Sequence, residues 1–136
     1  MGTYRSLTDA ERESISAGIA LAGHLAGSSG PPDLVDAQVL YDVLLLDPAR
    51  PNAATEALGY AFGNLLLEQS WLGWAMMLDD EFGDEFAVVV RDRALGCSPL
   101  SMMRHRLDDG EPCDLVGLLE ATVHRLRQLG QQAASI

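Results

Sequence analysis

Residues 71–90 read WLGWAMMLDDEFGDEFAVVV, and this stretch decides the fold. Before it, apolar residues recur once per helical turn. From Trp71 onward Leu72, Trp74, Met76 and Leu78 alternate with Gly73, Ala75 and Met77, the two-residue period of a strand. Phe86 to Val90 is a second β-prone run. The polar segment between them, Asp79 to Glu85, carries Gly83, where the backbone can reach positive φ, so the pair reads as an antiparallel hairpin. Ala94 to Cys97 adds a short third strand after a turn near Arg91-Asp92-Arg93.

Working outward, the flanks read as helices. Thr8 followed by Glu11 has the form of a capping box, and Ile15, Ile19, Ala22 and Ala26 keep helical spacing until Gly27 and the Ser28 to Pro32 loop. Asp33 caps a second helix on which Val35, Val39, Val43 and Leu46 form an apolar stripe, widened by Leu34, Tyr41 and Leu45. Asn52 looks like the cap of a third helix with Leu58, Phe62 and Leu65 inward. On it Gly59 and Gly63 lie one turn apart and allow close approach of another backbone, from within the chain or across a symmetric homodimer. After the hairpin, Ser98-Pro99 starts a fourth helix and Asp114 caps a fifth that runs to Gly130. Residues 1–6 and 131–136 are expected to fray. Helices, then a small antiparallel sheet, then helices again give an α+β fold, read as one domain over residues 1–136 with about five helices packed on the sheet.

Composition agrees. A chain of 136 residues with 48% hydrophobic and 21% charged side chains can bury a core and offset its ordering entropy. Twenty acidic against nine basic residues leave a net charge of −11, which argues against a nucleic-acid binder and for a basic protein partner. All nine basic residues are Arg, a bias expected of a GC-rich bacterial genome. Two cysteines make no disulfide framework, the N-terminus shows no export signal, and no apolar run approaches the about 20 residues of a membrane span. A cytoplasmic protein without membrane attachment is the expectation.

Leu58-Gly59, Phe62-Gly63, Trp74, Asp80-Glu81-Phe82-Gly83, Ala87-Val88-Val89, Ser98-Pro99, Arg106 and Gly110-Glu111 together resemble a bacterial family of domains of unknown function, family 3806. The resemblance spans residues 58 to about 118. It implies the α+β fold and transfers no activity and no catalytic residue.

The turn 79–85 holds five carboxylates but lacks the spacing of a calcium loop, so a solvated turn is favoured over a metal site. Cys97 and Cys113 sit in no nucleophile signature, and no cofactor motif is present. Six arginines fall in the C-terminal half among acidic residues, and ion pairs on a mixed surface are favoured over an anion site. Tyr60, Trp71 and Met77 are the candidates for an interaction surface. Arg104, His105 and Arg106 are the candidates for the rim of a ligand cleft between the sheet and the last helix. The leading reading is a non-enzymatic protein-binding module of adaptor or immunity type. The alternative is a small-ligand-binding protein or enzyme using that cleft.

Overall fold

A computed structural model describes residues 3–134. The elements run β1 Thr3–Arg5, α1 Asp9–Leu25, α2 Leu34–Leu46, α3 Asn52–Leu66, β2 Leu72–Leu78, β3 Glu85–Val90, β4 Gly96–Cys97, α4 Pro99–Asp108 and α5 Leu115–Ala134. The fold is α+β. Its antiparallel sheet has the order β1-β2-β3-β4.

The hairpin read from residues 71–90 is present, with Leu72 opposite Val90, Trp74 opposite Val88 and Met76 opposite Phe86. These pairs face α3. The short third strand is also present, pairing Val89 with Gly96 and Val88 with Cys97. At the turn between β2 and β3, the Asp79 carboxylate accepts from the backbone N–H groups of Glu81 and Phe82 at 2.8 and 3.0 Å, and Gly83 takes φ of 88°. Those two bonds stabilise the ionised form and hold the Asp79 carboxyl below its ordinary range.

At the other edge, Thr3–Arg5 pairs with Met76–Leu78, so these residues do not fray as expected. A strand of three residues has little pairing of its own, and an ion pair fastens it. Arg5 donates to both carboxylate oxygens of Glu11, at 2.8 and 2.7 Å, and Glu11 also completes the Thr8 capping box. The Arg5 guanidinium, helped by the Thr8 N–H, lowers the Glu11 carboxyl to about 2. The contribution of this clasp is therefore present above the ordinary carboxylate range and is lost as pH falls toward 2. At the C-terminus α5 continues to Ala134, past the Gly130 boundary expected; residues 135–136 lie outside the described residues.

Helix α3 is the axis of the core. Leu58, Phe62 and Leu66 are completely buried, and they meet Tyr41, Leu72, Val88, Met103, Leu107 and Leu115 in the main apolar cluster. A second cluster, Leu7, Ile15, Tyr60 and Met76, joins α1 to the sheet. A Cβ at Gly59 would stand 2.6 Å from the Leu100 Cα, and one at Gly63 would run into the Trp74 ring. The close approach these glycines permit is thus internal, to α4 and the sheet, the first of the two uses left open for this face. The helix starts at Asn52 itself, with Pro51 as its N-cap residue.

Helix α2 turns the Tyr41 side of its apolar surface to the core. Its core face is Ala37, Leu40, Tyr41 and Leu44, and the stripe Val35, Val39, Val43 and Leu46 faces outward. The inward face is fastened by polar side chains that the chain ahead of α5 needs. Gln38 donates to the Cys113 carbonyl and accepts from the Leu115 N–H, at 2.9 and 2.8 Å. The Tyr41 hydroxyl donates to the Glu111 carbonyl at 2.6 Å. Arg50, just beyond the helix, donates to the Leu107 carbonyl at 2.7 Å. These bonds satisfy backbone groups at the end of α4 and the start of α5, and so dictate which side of α2 turns in.

Serine 98 begins α4 by position but does not cap it. Its hydroxyl donates instead to the Glu85 carboxylate at 2.7 Å, and the Ser101 hydroxyl makes a second contact with the same oxygen. This knot joins β3 to the first turn of α4.

Candidate functional site

Two surfaces carry features that the core does not explain. The first is the outer face of α2. Val35, Val39, Val43 and Leu46, spaced by four, four and three residues, stack along one side of the helix. They are 71, 48, 59 and 84% exposed. Residues 34–46 include no basic side chain; Asp36 and Asp42 are the charged ones, with Asp33 and Asp47 at the two caps. An apolar stripe rimmed by one sign of charge is the pattern of a recognition surface.

The second is a cleft of about 460 Å³ between the β3–β4 turn and the C-terminal part of α5, edged by Trp71, Arg91, Arg93, Leu126 and Arg127. The Arg127 guanidinium lies over the Trp71 ring, 5.4 Å from its centroid, held by attraction between cation and ring. Arg91 Nε donates to the Ser70 carbonyl at 3.0 Å while its guanidinium rests against Gly73. Asp92, between the two turn arginines, takes φ of 64°, a left-handed conformation that lets Arg91 and Arg93 both border the cleft. Among the described residues Arg5–Glu11 is the one ion pair. The arginines of the C-terminal half are therefore not neutralised by neighbouring carboxylates, contrary to the expectation of a mixed, internally paired surface. Glu120 and His124, four apart on α5, are both exposed and unpaired with each other.

The residues proposed from the sequence are dispersed. Tyr60 is 8% exposed and packs edge-on against Phe86, with ring centroids 5.4 Å apart, so it belongs to the core and presents nothing to a partner. Trp71 is half-buried beneath Arg127 at one end of β2. Met77 is half-buried near the other end, paired with Tyr4 and Glu85. The structure brings no two of these three together.

Arg104, His105 and Arg106 occupy successive positions on α4, about 100° apart around the helix, and cannot converge on one ligand. Arg104 donates to the Ser101 hydroxyl at 3.2 Å, His105 is exposed, and Arg106 turns back to the Met102 carbonyl at 3.3 Å. A cleft between sheet and last helix does exist, but its arginines are 91, 93 and 127. More than thirty residues separate the turn at 91–93 from Arg127, so spacing alone carries no sign of their meeting.

The thiols and acids offer little chemistry. Burial pushes the Cys97 thiol up to about 11 and raises Cys113 as well. At pH 7 a thiol at that value is ionised in only about one molecule in ten thousand, so Cys97 is a poor nucleophile. Among the described residues no three His, Cys, Asp or Glu side chains are grouped to hold a metal ion. A further groove, of about 480 Å³, lies between α1, the loop at 28–31 and Asn64; its lining includes His24 but no carboxylate and no arginine. No helix among the described residues is long and apolar enough to cross a membrane.

Fold and surfaces together define a small α+β protein with an acid-rimmed apolar helix face and an arginine-lined cleft. Residues 33–118, more than half of the chain, match the family described as Domain of unknown function (DUF3806), and the chain belongs to that family. The match begins at the cap of α2, earlier than the residues that suggested the resemblance. No curated protein matches the chain. A crystal structure from Bacteroides thetaiotaomicron VPI-5482, determined at 1.50 Å, is similar in fold with a TM-score of 0.73 and 13% sequence identity. The similarity covers 90% of this chain and 47% of that one, so the present chain spans about half the length of its structural neighbour.

Proposed function

We propose that this chain is a non-enzymatic protein-binding module of adaptor or immunity type, acting in the cytoplasm, and that its partner docks on the outer face of α2. The observation that carries the reading is the outward stripe of Val35, Val39, Val43 and Leu46. Four large aliphatic side chains kept in water at helical spacing offer a ready seat for another helix. The occupant is a basic amphipathic segment. Asp33, Asp36, Asp42 and Asp47 frame the stripe with negative charge and no cation of α2 offsets them. Two copies of this surface would set acidic rim against acidic rim, in a chain already carrying −11, so a heterologous partner is favoured over a homodimer.

The test titrates the protein with a synthetic Leu/Lys amphipathic helix and with the same helix carrying Glu for Lys. Saturable binding of the Lys peptide, weakened by salt and abolished in a V39S/V43S variant of unchanged net charge, supports the reading. Equal binding to wild type and variant would show attraction by net charge alone. A concentration-dependent dimer in analytical ultracentrifugation, lost in the same variant, would replace the basic partner by a second copy.

A further inference from the structure

We infer that the cleft between the β3–β4 turn and α5 is a binding site for a small, doubly charged oxyanion, a phosphate monoester or a dicarboxylate. The inference uses residues remote in sequence from α2 and is independent of the protein-binding reading. Its basis is a local reversal of charge. In a chain of net charge −11, the lining of this one cleft holds three arginines and one carboxylate, Asp92, for a formal charge of +2. Carboxylates beyond about 8 Å are largely screened at physiological salt, so a ligand in the cleft responds chiefly to its lining.

Among the described residues none of the three arginines is ion-paired. Exposed guanidiniums without an ion-paired carboxylate keep N–H donors open to an anion arriving from solvent.

Geometry supports the same conclusion. Arg127 is braced on the Trp71 ring, so its side chain is already ordered and loses little freedom on binding. A guanidinium presents parallel N–H donors that match the paired oxygens of a carboxylate or phosphate, which a lysine would not do. Leu126 and Val90 supply an apolar wall beside them. The volume of about 460 Å³ suits a compact metabolite.

The chain's two tryptophans, Trp71 in the cleft and Trp74 under α3, provide a built-in reporter and an internal control. Their indole N–H resonances, assigned with W71F, are followed while inorganic phosphate, succinate or sodium chloride at matched ionic strength is added. The expected result is a saturable shift of the Trp71 resonance with phosphate or succinate, none with chloride, and a stationary Trp74. The affinity should fall at least about tenfold in R93Q and in R127Q, each of which removes an exposed side chain and leaves the fold intact. The tighter of the two anions tells a phosphorylated ligand from a dicarboxylate. A response equal to that of chloride, or an affinity unchanged in both variants, overturns the site. V39S/V43S should bind the anion as wild type does, which separates this test from that of the α2 surface.

Discussion

Helices α2 and α3 are both apolar around most of their circumference, yet they end up in different surroundings. In α3, 11 of 15 residues are buried; in α2, 4 of 13 are. A helix without a polar face is ordinarily enclosed on all sides. Helix α3 obeys the rule, lying between α1, α4 and the sheet. Helix α2 has one side pressed on the core and four large aliphatic residues in water on the other. The difference teaches that composition specifies how much of a helix can be buried, while the elements available to cover it decide how much is. Among the described residues no element covers this side of α2, and that is the ground on which a docking partner is proposed.

Phe62→Ala removes a fully buried ring from the centre of α3 and should cost about 3–5 kcal/mol, read by denaturant unfolding. Gly59→Ala places a methyl 2.6 Å from the Leu100 backbone and forces α4 outward; despite the better helix propensity of alanine, a net loss of about 1–2 kcal/mol and a lower Tm are expected. Gln38→Ala strips the inner face of α2 of its bonds to Cys113 and Leu115, leaving part-buried backbone groups unpaired. It should cost about 1–3 kcal/mol and speed amide exchange at Leu115. The double change V39S/V43S on the outer face should alter stability by no more than about 0.5 kcal/mol while abolishing binding of the Lys peptide. If that last variant unfolds as readily as Gln38→Ala, the two faces of α2 are not different in kind and the contrast with α3 fails.

The parts of this fold that could be read from the sequence are those governed by short-range physics. The switch of period at Trp71, the turn ending in Gly83, and the capping boxes at Thr8 and Asp33 involve residues a few positions apart, and each is present. What could not be read depends on distant partners. Thr3–Arg5 carries no strand pattern of its own and acquires one only beside Met76–Leu78. The orientation of α2 is not legible because apolar residues lie on both its faces, so periodicity cannot choose; the choice rests on Gln38 and Tyr41 reaching residues 70 and more positions away. Tyr60 carried an equal ambiguity, and burial under α1 and the sheet resolved it. The arginine cleft shows the same limit from the side of function. Arg91 and Arg93 were visible as a pair, but nothing local announced that Arg127 and Trp71 would stand across from them.

The pairing of Thr3–Arg5 with Met76–Leu78 bears on how the molecule is made. On a ribosome the first strand emerges about 75 residues before its neighbour, a delay of roughly 4–15 s at ordinary elongation rates. During that interval the nascent chain can form its early helices but has no sheet edge for Thr3–Arg5 to join. The clasp between Arg5 and Glu11 lies wholly within the segment that has already emerged, and so can tether the waiting strand to its own helix until the ribbon that completes the sheet arrives.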